Sequence, residues 1–383
     1  MPTTKMTRRF FLSTATATGI AATSVGRWAL AQTTTELPHR IAATSPWFCN
    51  QVALTRNGQM FLGLPRYPDH DVTPCVARRD SNGVAQPFPG NSWNEWKPGD
   101  DGQDAFVYVN SLHIFSDDTV WAVDQGALRA DSYPPALSEP KPGAQKLVQM
   151  DPDTGNILKV IRWDDQILPS GAKMNDLRVF GDHVYVTDSG IGALIYHNLE
   201  TGETLRRLSG HPQMQANVAP GQESGNHKTP KIDMLEVSAD GEWLYAAAPT
   251  GPFIRIRTED LRDPSLNDDQ LAKRVEHYAD IAKSGGCAID TLNNLYLSEL
   301  DNKRVTILAP DGQTAVLSSD EEFISPDGTF IAADRTLYLP ITQSRRTRLF
   351  GNQQDLVQKP WKIYAIDLPE RFAGINLGGS VLG

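Results

Sequence analysis

The chain has 383 residues and a formal net charge of −10, with 46 Asp and Glu against 36 Lys and Arg. That excess of carboxylates excludes the basic surface that nucleic acid or anionic lipid would require. The three cysteines, Cys49, Cys75 and Cys287, are too few for a disulfide scaffold, although a Cys49–Cys75 bridge would be allowed in an oxidising compartment.

The N-terminal segment reads "TRRFFLS", with Arg8 and Arg9 ahead of a mildly apolar run closed by "ALAQ". A basic start, a short apolar run and a small-residue site together describe a secretory leader. The arginine pair points to the twin-arginine route. Residues 1–31 are therefore expected to be a leader and 32–383 the mature, periplasmic or secreted domain. Losing Lys5, Arg8, Arg9 and Arg27 would take the formal charge from −10 to −14. No later run is long and apolar enough to span a bilayer, so neither membrane nor nucleic acid is an expected partner of the mature chain. A monomer is expected.

From Asn50 onward one template recurs six times: a polar first residue, alternating apolar positions, a tight turn and a second apolar run. The segments are "NQVALTRNGQMFLG" from Asn50, "NSLHIFSDDTVWAV" from Asn110 and "NDLRVFGDHVYVTD" from Asn175. They continue with "DMLEVSADGEWLYAAA" from Asp233, "GGCAIDTLNNLYLSE" from Gly285 and "DGTFIAADRTLYLP" from Asp327. Each has the period-two alternation and the Asn, Asp or Gly turn of a β-hairpin. Further strands follow several of them, as in "KLVQMD" with "PDTGN" and "GALIYHNL" with "ETGE". Two hairpins per unit, recurring every 42 to 65 residues, predict an all-β fold, a six-bladed β-propeller in a single domain. The segment "NDDQLAKRVEHYADIA" is the one stretch with helical periodicity. Loops 85–106, 126–145 and 209–231 are long and rich in Pro, Gly or polar residues, and loops on a rigid scaffold often carry function.

In a propeller the innermost strand of each blade lines the central channel. The first template position gives Asn50, Asn110, Asn175, Asp233, Gly285 and Asp327, and five of these six carry a side-chain oxygen. Oxygens converging on one axis suit a hard divalent cation, calcium above all. Asn110, Asn175, Asp233 and Asp327 are the expected metal ligands; the competing explanation is that Asn and Asp favour turns before strands. Because neighbouring side chains of a strand point to opposite faces, Asn175 is expected at the channel and Asp176 away from it. His227, in the polar loop before Asp233, is a candidate general base together with Asp233. Arg66, Trp93 and Asp124 are candidate substrate contacts, with Asp69, His70 and Trp96 nearby in sequence. Asp124 and Asp188 end second strands and could equally cap turns. Arg345, Arg346 and Arg348 would attract an anion, or form a solvated loop face. The sequence contains no Gly-x-Ser-x-Gly, Cys-x-x-Cys or P-loop, so serine-nucleophile, thiol-redox and nucleotide chemistry lose weight.

Several segments, in their order, resemble the yellow/major royal jelly protein family in an exported bacterial form. They are "GQMFLGLPRYPD", "PFPGNSWNEW", "TVWAVDQG", "LVQMDPDTGNIL" and "NDLRVFGDHVYVTDSGIGALIYHNLETG", within a likeness that runs from about Asn50 to Asp367. The resemblance implies a secreted six-bladed propeller, with dopachrome conversion or binding of small amines among the family's activities. "GGCAIDTLNNLYLSELDNKRV" is more distantly similar to the SMP-30/gluconolactonase group, in which a cation held by Glu, Asn and Asp polarises a lactone carbonyl. Here Gly285 stands where that group has a metal-binding Asp, Asp233 where it has Asn, and "TSPWFCN" supplies no glutamate. The expected function is action on a small molecule in a top-face cavity, as a tautomerase or isomerase or as a lactonase-type hydrolase. The alternative is a periplasmic protein that binds a small ligand without turning it over.

Overall fold

The computed structural model describes Met1 and residues 35–67, 74–129, 135–218, 229–350 and 352–383. The expected leader, Asp69, His70 and His227 lie outside the described residues. From residue 35 onward the described chain forms one unit.

Period-two sequence becomes antiparallel sheet at every template segment. Among the described residues there are six four-stranded antiparallel sheets and one small two-stranded ribbon. The inner strands are Gln51–Leu54, Val109–Ile114, Met174–Phe180, Met234–Val237, Ser284–Ile289 and Phe330–Ile331. They adjoin one another in ring order, and the last lies beside the first. A parallel bridge between Gln51 and Gly328 completes that junction. The fold is a six-bladed β-propeller, with each expected hairpin forming the inner half of one blade.

Five blades are built from consecutive strands. The sixth takes its outermost strand, Arg40–Ser45, from the start of the described chain and pairs it with Trp361–Asp367. Strands buried on both faces pack blade on blade; Val52, Leu62, Leu112, Val148 and Phe330 belong to one such cluster. Each apolar side chain of that size contributes about 1.5–3 kcal/mol on burial. The three cysteines are buried free thiols, so the Cys49–Cys75 bridge is not formed.

The helical expectation for 267–282 holds only at its start. Asp268–Ala272 is helical, begun by a capping box between Asn267 and Gln270. Glu276–Ala279 instead pairs with Phe253–Arg257 as the outer strand of blade four. No described helix is long and apolar enough to cross a membrane.

Candidate functional site

Three of the inner strands do not enter the ring as regular ladders. In blade three Met174 pairs with Asp188 and Leu177 with Val186, so Asn175 and Asp176 together face the single residue Thr187. Comparable irregularities fall at Asn110 in blade two and at Gly285 and Gly286 in blade five. A bulge of this kind suspends the alternation of side chains. Asn175 and Asp176 consequently both line a central cavity of about 480 Å³ at one end of the channel. The expectation that Asp176 would turn away is corrected, and its physical reason is the bulge.

All six first-position residues border this cavity: Asn50, Asn110, Asn175, Asp233, Gly285 and Asp327. Their amides form a directed chain. Asn50 Nδ2 donates to the Asn110 carbonyl at 2.8 Å, Asn110 Nδ2 to Asn175 Oδ1 at 2.7 Å, and Asn175 Nδ2 to Ser189 Oγ at 3.0 Å. With its NH₂ group committed, the amide of Asn50 is left with an acceptor, Oδ1, that is buried and has no protein partner. Gly285 is the exception in the ring for a packing reason. A Cβ there would sit 2.3 Å from the carbonyl oxygen of Pro326, and one on Gly286 2.7 Å from Gly328 Cα. Blades five and six approach backbone to backbone, so this position cannot carry a ligand side chain.

A second tier closes the cavity from below. Ser111 Oγ donates to Asp176 Oδ1, and Arg178 Nη1 reaches the same oxygen at 3.0 Å. Arg178 also holds Glu236 through two bonds of 2.8 and 2.7 Å, and the Cys287 thiol lies 3.8 Å from that carboxylate. Burial alone would oppose the Arg178 charge, but Asp176 and Glu236 outweigh it and raise the guanidinium pKa. Burial pushes Glu236 up, against the pull of Arg178. One residue pair deeper, the ring of His113 lies 5.1 Å from that of Phe330, across blades two and six. Burial, with Arg178 nearby, lowers the His113 pKa well below its usual value and keeps it neutral.

The ring carboxylates lack such compensation. Burial and the neighbouring charge of Asp176 push Asp233 up to about 8, although a hydrogen bond from Asn175 and the charge of Arg129 act the other way. Asp327 is raised well above the carboxylate range, first by burial and then by Asp233. Burial thus raises the pKa of both ring acids, and perturbed acids of this kind are common at functional sites.

No family model matches the chain, and no curated protein matches its sequence. Solved structures do share its fold. A putative gluconolactonase superposes with a TM-score of 0.53 at 11% identity, covering 90% of this chain and 94% of that one. A streptogramin B lyase gives 0.51 at 11% identity, over 87% and 97% of the two chains. The likeness is one of fold.

The structure brings Asn110, Asn175, Asp233 and Asp327 together, and it does not bring Arg66, Trp93 or Asp124 to them. Arg66 is buried, with its guanidinium on the carbonyls of Phe106 and Val107 and over the ring of Trp96. Asp124 accepts backbone N–H groups of Val107, Tyr108 and Gly126 and pairs with fully buried Lys146 at 2.8 Å. Trp93 packs on Phe106 and beneath the Lys146 ammonium. These three residues stitch the long loops to blades one and two, which corrects their expected role as cavity contacts. Asp188 repeats the arrangement in blade three, capping Lys173, Gly190 and Ile191 and pairing with Arg206. Sequence reasoning missed Gln51, Asp176, Arg129 and Lys283 as cavity residues. The polar doublets Asn50-Gln51, Asn110-Ser111 and Asn175-Asp176 were the available signal, since two polar residues in succession break a period-two pattern.

Among the described residues no group of three or more His, Cys, Asp or Glu side chains is arranged to hold a metal ion. The donors that face the cavity are a mixed set of amide and carboxylate oxygens. By chemistry that set fits a hard cation: the Asn50 acceptor lacks a partner, and at Asp233 and Asp327 burial outweighs the groups that favour the charged form.

Proposed function

We propose that this chain acts on a small, oxygen-rich molecule bound in the central cavity, with a divalent cation, calcium first, as its cofactor. The observation that carries the reading is the ring itself: five oxygen-bearing side chains from five blades converge on one cavity, and one of their acceptors is unpartnered. Asn50, Asn110, Asn175, Asp233 and Asp327 would hold the cation, with Asp176 beside them. When bound, the ion supplies Lewis-acid polarisation of a substrate carbonyl. The protein's own part is to exclude water, orient the substrate and move a proton. Asp233, which lines the same cavity, is the candidate for the proton. His227, outside the described residues, is the candidate partner base.

Tautomerisation and lactone hydrolysis both fit this apparatus. The likeness to the yellow/major royal jelly protein family rests on sequence segments and favours dopachrome-like quinones as substrates. The putative gluconolactonase of the same fold suggests lactones. Export by the twin-arginine route, a periplasmic or secreted location and a monomeric state belong to the same proposal. Turnover of lactones and dopachrome-like quinones, measured with and without EDTA, tests it. A rate that EDTA abolishes and calcium restores is expected. Stoichiometric binding of such a compound without turnover would instead establish the non-catalytic binder.

A further inference from the structure

We propose that the occupant of the cavity is a small organic anion, held by a carboxylate or phosphate group at a cationic collar around the mouth. Its uncharged oxygens would reach the Asn and Asp ring below. The inference rests on the reading that the cavity holds a small oxygen-rich molecule, and it specifies the charge of that molecule.

Charge is segregated along the depth of the cavity. Among the described residues its lining acids, Asp176, Asp233 and Asp327, all sit where inner strands enter the ring, whereas its lining bases, Arg129, Lys283 and Arg345, come from the loops above. Lys283 precedes the inner strand of blade five, is exposed and makes no ion pair with a described residue. Arg345 lies in the turn Ser344–Arg346 of blade six and pairs with Asp301, both side chains being more than a third exposed. Arg129 comes from the far side, after the second strand of blade two, with its guanidinium carbon 5.1 Å from the centre of the Tyr67 ring. Of the three late arginines, Arg345 reaches the mouth, while Arg346 bonds to Gln343 in a separate small cleft.

A chain with a net charge of −10 repels small anions over most of its surface. Three bases from three blades at one mouth offset that field locally, and positive charge at a mouth favours the encounter with anions. An amine would meet the collar before any carboxylate of the ring. A molecule with an anionic head and a polyhydroxy or carbonyl tail matches both levels at once. The cavity volume lies within the range typical of small-molecule sites.

Four probes with one carbon skeleton separate the possibilities: D-glucitol, D-gluconate, glucitol 6-phosphate and glucamine. Isothermal titration in EDTA isolates the collar, because gluconate itself binds calcium; a separate titration with calcium alone reads the ring. Gluconate or glucitol 6-phosphate should bind at least about tenfold tighter than glucitol, and the preferred one of the two tells carboxylate from phosphate. Lys283→Gln, and Arg345→Gln combined with Asp301→Asn, should each weaken that anion about two- to fivefold, leave calcium binding unchanged and keep the wild-type melting temperature. Raising the salt concentration should narrow the same preference. Equal binding of glucitol, tighter binding of glucamine, binding of none of the probes, or variants that keep the full preference would overturn the collar. Absence of calcium binding with the anion preference intact would instead overturn only the cation.

Discussion

Arg178→Met isolates what the buried ion cluster beneath the cavity contributes. Methionine retains much of the side-chain volume, so the dominant change is electrostatic. The substitution removes bonds of 2.8 and 2.7 Å to Glu236 and 3.0 Å to Asp176, and all three side chains are less than a tenth exposed. Two carboxylates are then left buried without a countercharge, with only neutral donors beside them. Breaking a buried pair in this way costs about 3–5 kcal/mol. The sign of the pH dependence follows. An orphaned buried carboxylate has a folded-state pKa above its unfolded value, so its penalty is absent at low pH and grows as pH rises between the two values. Each carboxylate adds about 1.4 kcal/mol per pH unit across that window. Urea denaturation of wild type and variant at pH 8 and pH 5 should show the gap shrinking on acidification. The triple variant Arg178→Met, Asp176→Asn, Glu236→Gln should recover much of the loss at pH 8. A gap below about 1 kcal/mol, or one equal at both pH values, would refute the reasoning, since a desolvated charge cannot behave in either way.

Three further outcomes are expected. Asn50→Ala and Asp233→Asn should each weaken calcium binding at least about tenfold by calorimetry without changing the fold, and wild-type protein that bound no divalent cation would remove the cofactor. Gly285→Ala should lower stability by about 1–3 kcal/mol, because the new methyl meets the Pro326 carbonyl; a melting temperature equal to wild type would show that blades five and six can separate cheaply. Arg8→Lys together with Arg9→Lys should leave uncleaved precursor in the cytoplasm, and normal periplasmic accumulation would exclude the twin-arginine route.

The propeller was legible because blades repeat. Six copies of one hairpin pattern average out local ambiguity, and the first residues of the inner strands could be read directly from Asn50 to Asp327. Cavity-lining residues set by that register were therefore found, and those set by anything else were not. Arg66, Trp93 and Asp124 were candidates as a charged residue after the first hairpin, an aromatic wall and the end of a second strand, but the same residue types serve the long loops, whose backbone groups need buried partners. Asp176 was assigned to the wrong side because alternation holds only in a regular ladder, and a bulge is decided by pairing with the next strand. The helical pattern over 267–282 lost to the open edge of blade four, where ladder bonds outweigh propensity. Arg129 and Lys283 belong to loops that carry no repeat, so nothing in their spacing marked them.

The closing strand Arg40–Ser45 has a consequence for how the molecule can be made. It is translated more than three hundred residues before its partner Trp361–Asp367. Until that partner exists, the early strand has no ladder to join and the ring is an open arc with two raw edges. Blades one to five can each form from neighbouring residues, but the circle can be shut only after synthesis of the last blade. Contacts so distant in sequence are slow to form, and exposed edges invite pairing with other chains in the interval. A circular permutant that joins residue 383 to residue 35 through a linker and opens the chain between blades three and four would bring the two strands of this late, long-range closure close together in sequence. It would move the slow step to the junction of blades three and four, leaving the finished ring unchanged.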